Sequence, residues 1–239
     1  FASPAGFYPL AGKLWPWFAT LALIFGIAGL WLGLFVAPID AQQGEAYRIV
    51  YVHVAASWMA MLIYCAMAFW GALCLAFNVR LAGMPPAALA PTGALFALLS
   101  LLTGSLWGKP MWGTWWVWDA RLTSVLILLF LYLGFIALTG AIDDARRADR
   151  AGAIVSLVGV VNVPIIYFSV RWWNTLHQGA SVSFTAAPSM AQPMLWGMLL
   201  MALSFWMYGI AIVLYRVRGI ILERERNAKW VFDLARSAP

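Results

Sequence analysis

Charge is what this chain most lacks: Asp, Glu, Lys and Arg make up only 10% of its 239 residues. A soluble domain carries about 25%, so this composition excludes an ordinary water-solvated fold. With 64% of residues hydrophobic, the natural solvent is lipid. Cysteine is nearly absent. Cys65 and Cys74 stand nine residues apart in one apolar run, about 13 Å by helical rise, which is too far for a disulfide. They read as packing residues. There is no G-x-x-x-x-G-K-[ST] phosphate loop, so any ATP must be handled by a partner. No internal repeat and no low-complexity segment occurs. The formal charge of +6 would suggest nucleic acid for a soluble protein, but in a membrane protein such an excess gathers in cytoplasmic loops.

What is present in quantity is long neutral sequence. Residues 14–39, 49–79, 81–108, 122–142, 151–170 and 172–215 contain no Asp, Glu, Lys or Arg. A bilayer core about 30 Å thick needs roughly 20 helical residues, so every run is long enough to span. The last run is too long for one helix, and its polar first half reads as a loop. The expectation is an all-α, polytopic membrane bundle of six helices, at 17–37, 50–77, 87–106, 122–141, 153–170 and 193–215. Residues 1–16 precede this 17–215 domain. The tail 216–239 follows it, mixed in charge and suited to an interfacial helix. Eleven of the fifteen Lys and Arg fall on the side of the N-terminus, and four (Arg48, Lys109, Arg121, Arg171) on the other. That bias predicts cytoplasmic N- and C-termini and three outward segments, 38–49, 107–121 and 171–192.

The unusual residues gather in or beside those outward segments. The chain has two histidines. His53 sits at the outer end of the second predicted helix and His177 in the third outer segment. Seven of the fifteen tryptophans are outward too: Trp107, Trp112, Trp115, Trp116, Trp118, Trp172 and Trp173. An interfacial aromatic belt populates both membrane faces and does not place four Trp within residues 112–118. If that stretch is helical, Trp112, Trp115 and Trp116 share one face and form a shelf for a broad planar apolar ligand. Two imidazoles, an aromatic shelf and a few cations suit haem. The histidines are candidate axial ligands of the iron, and Arg48, Lys109, Arg121 or Arg171 are candidate partners of the propionates. Asp119 either orients Arg121 or an indole N–H, or is a solvated loop carboxylate. No C-x-x-C-H occurs, which excludes covalent haem attachment by that motif.

The run Trp112-Gly113-Thr114-Trp115-Trp116-Val117-Trp118-Asp119, within WGKPMWGTWWVWDARLT at 107–123, resembles the WWD signature of the haem-handling family of cytochrome c biogenesis. Among its branches the chain is similar to the CcmC haem-delivery proteins over essentially its whole length. The resemblance implies a multi-pass protein of the bacterial inner membrane that is not an enzyme. It would hold haem b non-covalently at the periplasmic face. Trp112, Trp115, Trp116, Trp118 and Asp119 would form the platform, and His53 and His177 the axial ligands. It implies delivery to the membrane-anchored haem chaperone CcmE, beside CcmD and the transporter subunits CcmA and CcmB.

Two other classes compete. A b-type cytochrome or quinol electron-transfer subunit also binds haem in a helical bundle. Such proteins place histidines deeper, and typically four of them for two haems. A permease or channel would carry ionisable residues at mid-membrane, and the proposed helices have none.

Overall fold

The computed structural model describes residues 3–177, 182 and 187–237. Much of the third outer segment, 178–181 and 183–186, lies outside the described residues. Among the described residues, six helical stretches are long and apolar enough to cross a membrane: Pro4–Val36, Glu45–Phe77, Arg80–Trp112, Ala120–Gly140, Ala145–Trp172 and Gln192–Arg224. The six-span all-α reading therefore holds. Large apolar side chains such as Leu23, Ile27, Phe130 and Val158 face outward. That pattern is ruinous in water and normal against lipid.

Local chemistry sets the helix ends. α1 (Pro4–Trp31) begins well before the expected position 17, because Ser3 accepts a hydrogen bond from Gly6 N at 3.2 Å and Pro4 starts the first turn. Hydropathy marks where a helix enters lipid and not where it starts. Its last turn widens into a π turn, Leu32–Val36, closed by Ala37 N donating to Leu32 O at 2.7 Å. α2 (Val50–Phe77) coincides with the expected 50–77 and stops at Asn78, whose φ of 52° is left-handed. α3 (Met84–Trp112) starts on Pro85 and Pro86 and ends at Gly113, with φ 74°. Few residues other than glycine take that conformation without strain. α4 (Ala120–Gly140) is capped by Asp119, which accepts from Leu122 N at 2.8 Å.

The fifth span is two helices, α5 (Ala145–Gly159) and α6 (Asn162–Trp172), where one was expected. Pro164 lacks the N–H that would bond to the Val160 carbonyl, so the ladder opens there. Just past the break, Asn162 donates from Nδ2 to Ser124 O at 2.8 Å, which ties the start of α6 to α4. α7 (Gln192–Arg224) runs past the expected 215, and α8 (Lys229–Ser237) is the short amphipathic helix anticipated in the tail.

α1 packs along α7, and α2 lies between α3, α5 and α7. At the core, Tyr64 and Tyr132 meet edge to face with centroids 5.0 Å apart. Tyr132 donates to Ala60 O at 2.6 Å and Tyr64 to Val155 O at 3.2 Å, so neither buried hydroxyl is left without a partner. A methyl group at Gly93 would overlap the Tyr132 ring, so α3 and α4 approach closely through a glycine. This packed centre holds the start of α2, the end of α3 and the start of α4 around one cleft.

Candidate functional site

His53 lies in the first turn of α2 and His177 in the segment after α6, yet both line the same two cavities. One, narrow, reaches inward past Ser57, Ser100, Gly104 and Arg121 to Leu128 and Ile166. The other, wider, opens between Gln43, Trp107, Met111 and Trp112. The two share His53, Gly104 and His177, so the imidazoles stand where the compartments meet.

Each ring is held by its Nδ1. Thr103 Oγ1 is 2.9 Å from His53 Nδ1 and donates its proton to Leu99 O at 2.6 Å. The hydroxyl therefore offers His53 a lone pair, which fixes the proton on Nδ1 and leaves the Nε2 lone pair free. One turn along, Ser57 donates to His53 O at 2.8 Å and lies 2.6 Å from Ser100 Oγ. A Cβ at position 104 would come within 3.1 Å of His53 Cε1, so Gly104 gives the ring its room.

His177 Nδ1 lies 3.4 Å from Asp119 Oδ2, at the long end of hydrogen-bond range. Asp119 is not a solvated carboxylate. Its side chain is 9% exposed, and one oxygen caps α4 while the other faces His177. Burial lowers the His177 pKa and the nearby Arg121 charge lowers it further, while Asp119 opposes both. The net direction is down, so His177 is a neutral imidazole at neutral pH.

The tryptophans divide. Residues 113–119 are not helical, so the shared helical face of Trp112, Trp115 and Trp116 does not form. The left-handed Gly113 ends α3 one residue after Trp112 and turns the rest away. Trp112 lies against His177, ring centroids 5.0 Å apart, and Trp107 meets His53 edge-on at 5.6 Å. Trp107 Nε1 donates to Gln43 Oε1 at 2.8 Å. Trp115 and Trp118 are 54% and 76% exposed, with Lys109 Nζ 5.8 Å above the Trp115 ring. Trp116 packs edge-on to Trp118 and buries an Nε1 that has no partner among the described residues.

The candidate cations divide too. Arg121 lines the inner cavity. Arg48 is committed elsewhere: it pairs with Glu45 and donates to Gly33 O and Ala37 O at 2.7 and 3.3 Å, which ties the 38–49 link to the end of α1. Arg171 is exposed and lines neither cavity, and Lys109 donates to Gly113 O at 3.1 Å. Sequence reasoning missed Thr103, Ser100, Ser57 and Gly104. The available signal was a cluster of small polar residues one turn apart inside apolar runs, facing the first histidine.

The family described as Heme exporter protein C matches residues 1–232. Heme exporter protein C of Escherichia coli strain K12 is 46% identical over 234 residues, covering 98% of this chain and 94% of that protein. The Haemophilus influenzae protein of the same name is 46% identical over 237 residues, covering 99% and 96%. That of Bradyrhizobium diazoefficiens is 44% identical over 237, covering 99% and 90%. With its six spans and a match along nearly its whole length, the chain belongs to the heme exporter protein C family.

Proposed function

We propose that the protein holds haem b non-covalently between His53 and His177 and delivers it to the chaperone CcmE for cytochrome c maturation. The observation that carries the reading is that two histidines far apart in sequence line the same two cavities, each with a side-chain oxygen within reach of its Nδ1. Among those residues no group of three His, Cys, Asp or Glu gathers to hold a bare ion. Two imidazoles suffice for a metalloporphyrin, which brings four nitrogens of its own.

The residues divide the work. Thr103 and Asp119 set the tautomer and aim of the two imidazoles. Trp107 and Trp112 wall the outer compartment with aromatic faces. Arg121 is the cation placed to meet a propionate. Trp115 and Trp118, exposed above the bundle, form the surface over which CcmE receives haem. CcmD, CcmA and CcmB are the neighbouring subunits, with ATP handled by the last pair. The excess of Lys and Arg on one side supports cytoplasmic termini, an inner-membrane location and a periplasmic haem site.

The test is transfer in reconstituted membranes containing CcmE. Trp115→Ala/Trp118→Ala should keep the haem spectrum of the parent while chaperone loading falls at least several-fold. Unimpaired loading would remove the docking role, and loss of haem itself would move those tryptophans into the binding site.

A further inference from the structure

The end of the bundle remote from the histidines carries another cavity. Cys74 lies 21 residues along α2 from His53, about 32 Å by helical rise. There a cavity opens between the end of α2, the link to α3, the start of α5 and the end of α7. Arg80, Arg146, Arg150 and Arg224 line it, above apolar Cys74, Val79 and Met84.

The charges there do not balance. Arg224 is committed to Asp149 through two bonds of 2.7 and 2.8 Å. Glu225, the other carboxylate in the lining, keeps its charge while accepting from Trp230 Nε1 at 2.7 Å, so four arginines face two carboxylates. Arg80, Arg146 and Arg150 are exposed and have no carboxylate partner among the described residues. Arg146 and Arg150 stand one turn apart on α5, a spacing at which like charges repel. Three guanidiniums lining one cavity are stable together when an anion sits among them. The cavity lies at the ends of four membrane-spanning stretches, the level at which lipid headgroups lie.

We propose that this cavity is a binding site for an anionic phospholipid. Arg80, Arg146 and Arg150 grip the phosphate, and Cys74, Val79 and Met84 seat the first methylenes of an acyl chain. Guanidinium forks match phosphate oxygens two at a time. A soluble phosphate would use the arginines and gain nothing from the apolar floor, so the lining favours a ligand with both parts.

The experiment is native mass spectrometry of the full chain released from detergent, after titration with phosphatidylglycerol or phosphatidylcholine. Phosphatidylglycerol should be retained in preference to phosphatidylcholine. Each of R80Q, R146Q and R150Q should weaken retention about fivefold, and the triple variant on the order of a hundredfold. The control R226Q/R236Q, which removes as much charge per substitution outside the cavity, should bind as the parent does. Thermal unfolding should rise with phosphatidylglycerol and stay unmoved by inorganic phosphate at equal concentration. Equal retention of the two lipids, parent-like retention by the single variants, or equal stabilisation by inorganic phosphate would each overturn the proposal. The single variants sit at exposed positions, so folding does not obscure the result.

Discussion

Replacing Thr103 with valine removes one hydroxyl and keeps the shape of the side chain. In the parent, that hydroxyl donates to Leu99 O and receives His53 Nδ1. Valine costs α3 little, because a side-chain bond to the preceding turn adds nothing essential to a helix. The effect falls on His53, whose Nδ1 loses its side-chain partner in a site where Thr103 itself is only 8% exposed. An unsatisfied buried donor costs about 1–3 kcal/mol. The ring escapes that cost by rotating or by moving its proton to Nε2, and either change withdraws the lone pair that iron requires. Haem affinity should therefore fall about 5- to 150-fold, by the same range of free energy. Thr103→Ser keeps the hydroxyl and should restore most of it. The assay is haem titration of the purified protein, followed by absorption, with thermal unfolding as a control for the fold. Parent-like affinity in Thr103→Val would refute the argument that the hydroxyl fixes the imidazole.

Other outcomes follow from the same geometry. Asp119→Asn keeps an α4 cap, since asparagine caps as well as aspartate, but removes the one charge that raises the His177 pKa. A proton competes with iron for the imidazole, so haem is held above that pKa and lost as pH falls through it. The acid limb of haem retention should then move to lower pH, and an unmoved limb, or one shifted upward, would contradict the assignment. Gly104→Leu directs a side chain at His53 Cε1 and into both cavities. It should abolish haem binding while circular dichroism stays that of the parent, and retained haem would mean the cleft lies elsewhere. Tyr132→Phe removes the bond to Ala60 O in the core at a cost of about 1 kcal/mol. Its melting temperature should drop with the haem spectrum unchanged, and a changed spectrum would show that the core and the cleft are coupled.

Most of the architecture was legible because lipid imposes a simple rule on sequence: a spanning helix must be long, apolar and nearly free of charge. α2 shows the rule at its best, with bounds at 50 and 77 from sequence and structure alike. The misreadings arose where something other than hydropathy set the backbone. Ser3 and Pro4 start α1 beyond the apolar run, and Pro164 divides α5 from α6 within one. Of the candidate cleft, His53, His177 and Trp112 stood out in the sequence, because rare residues crowded into a few segments are visible in one dimension. Its supports were not. Thr103 and Gly104 are ordinary residues of an apolar helix until α2 and α3 pack together and bring His53 against them. The helical shelf failed for a local reason, since Gly113 in a left-handed turn divides Trp112 from Trp115 and Trp116.

The central claim is that the two imidazoles hold one iron between them. Its most direct test is the absorption spectrum of the haem-loaded protein, as the parent and as His53→Ala and His177→Ala. The parent should show six-coordinate haem, each variant should lose that signature, and added imidazole should restore it to both. A six-coordinate spectrum that survives either substitution would contradict the account, because the iron would then have a ligand other than the two histidines of the cleft.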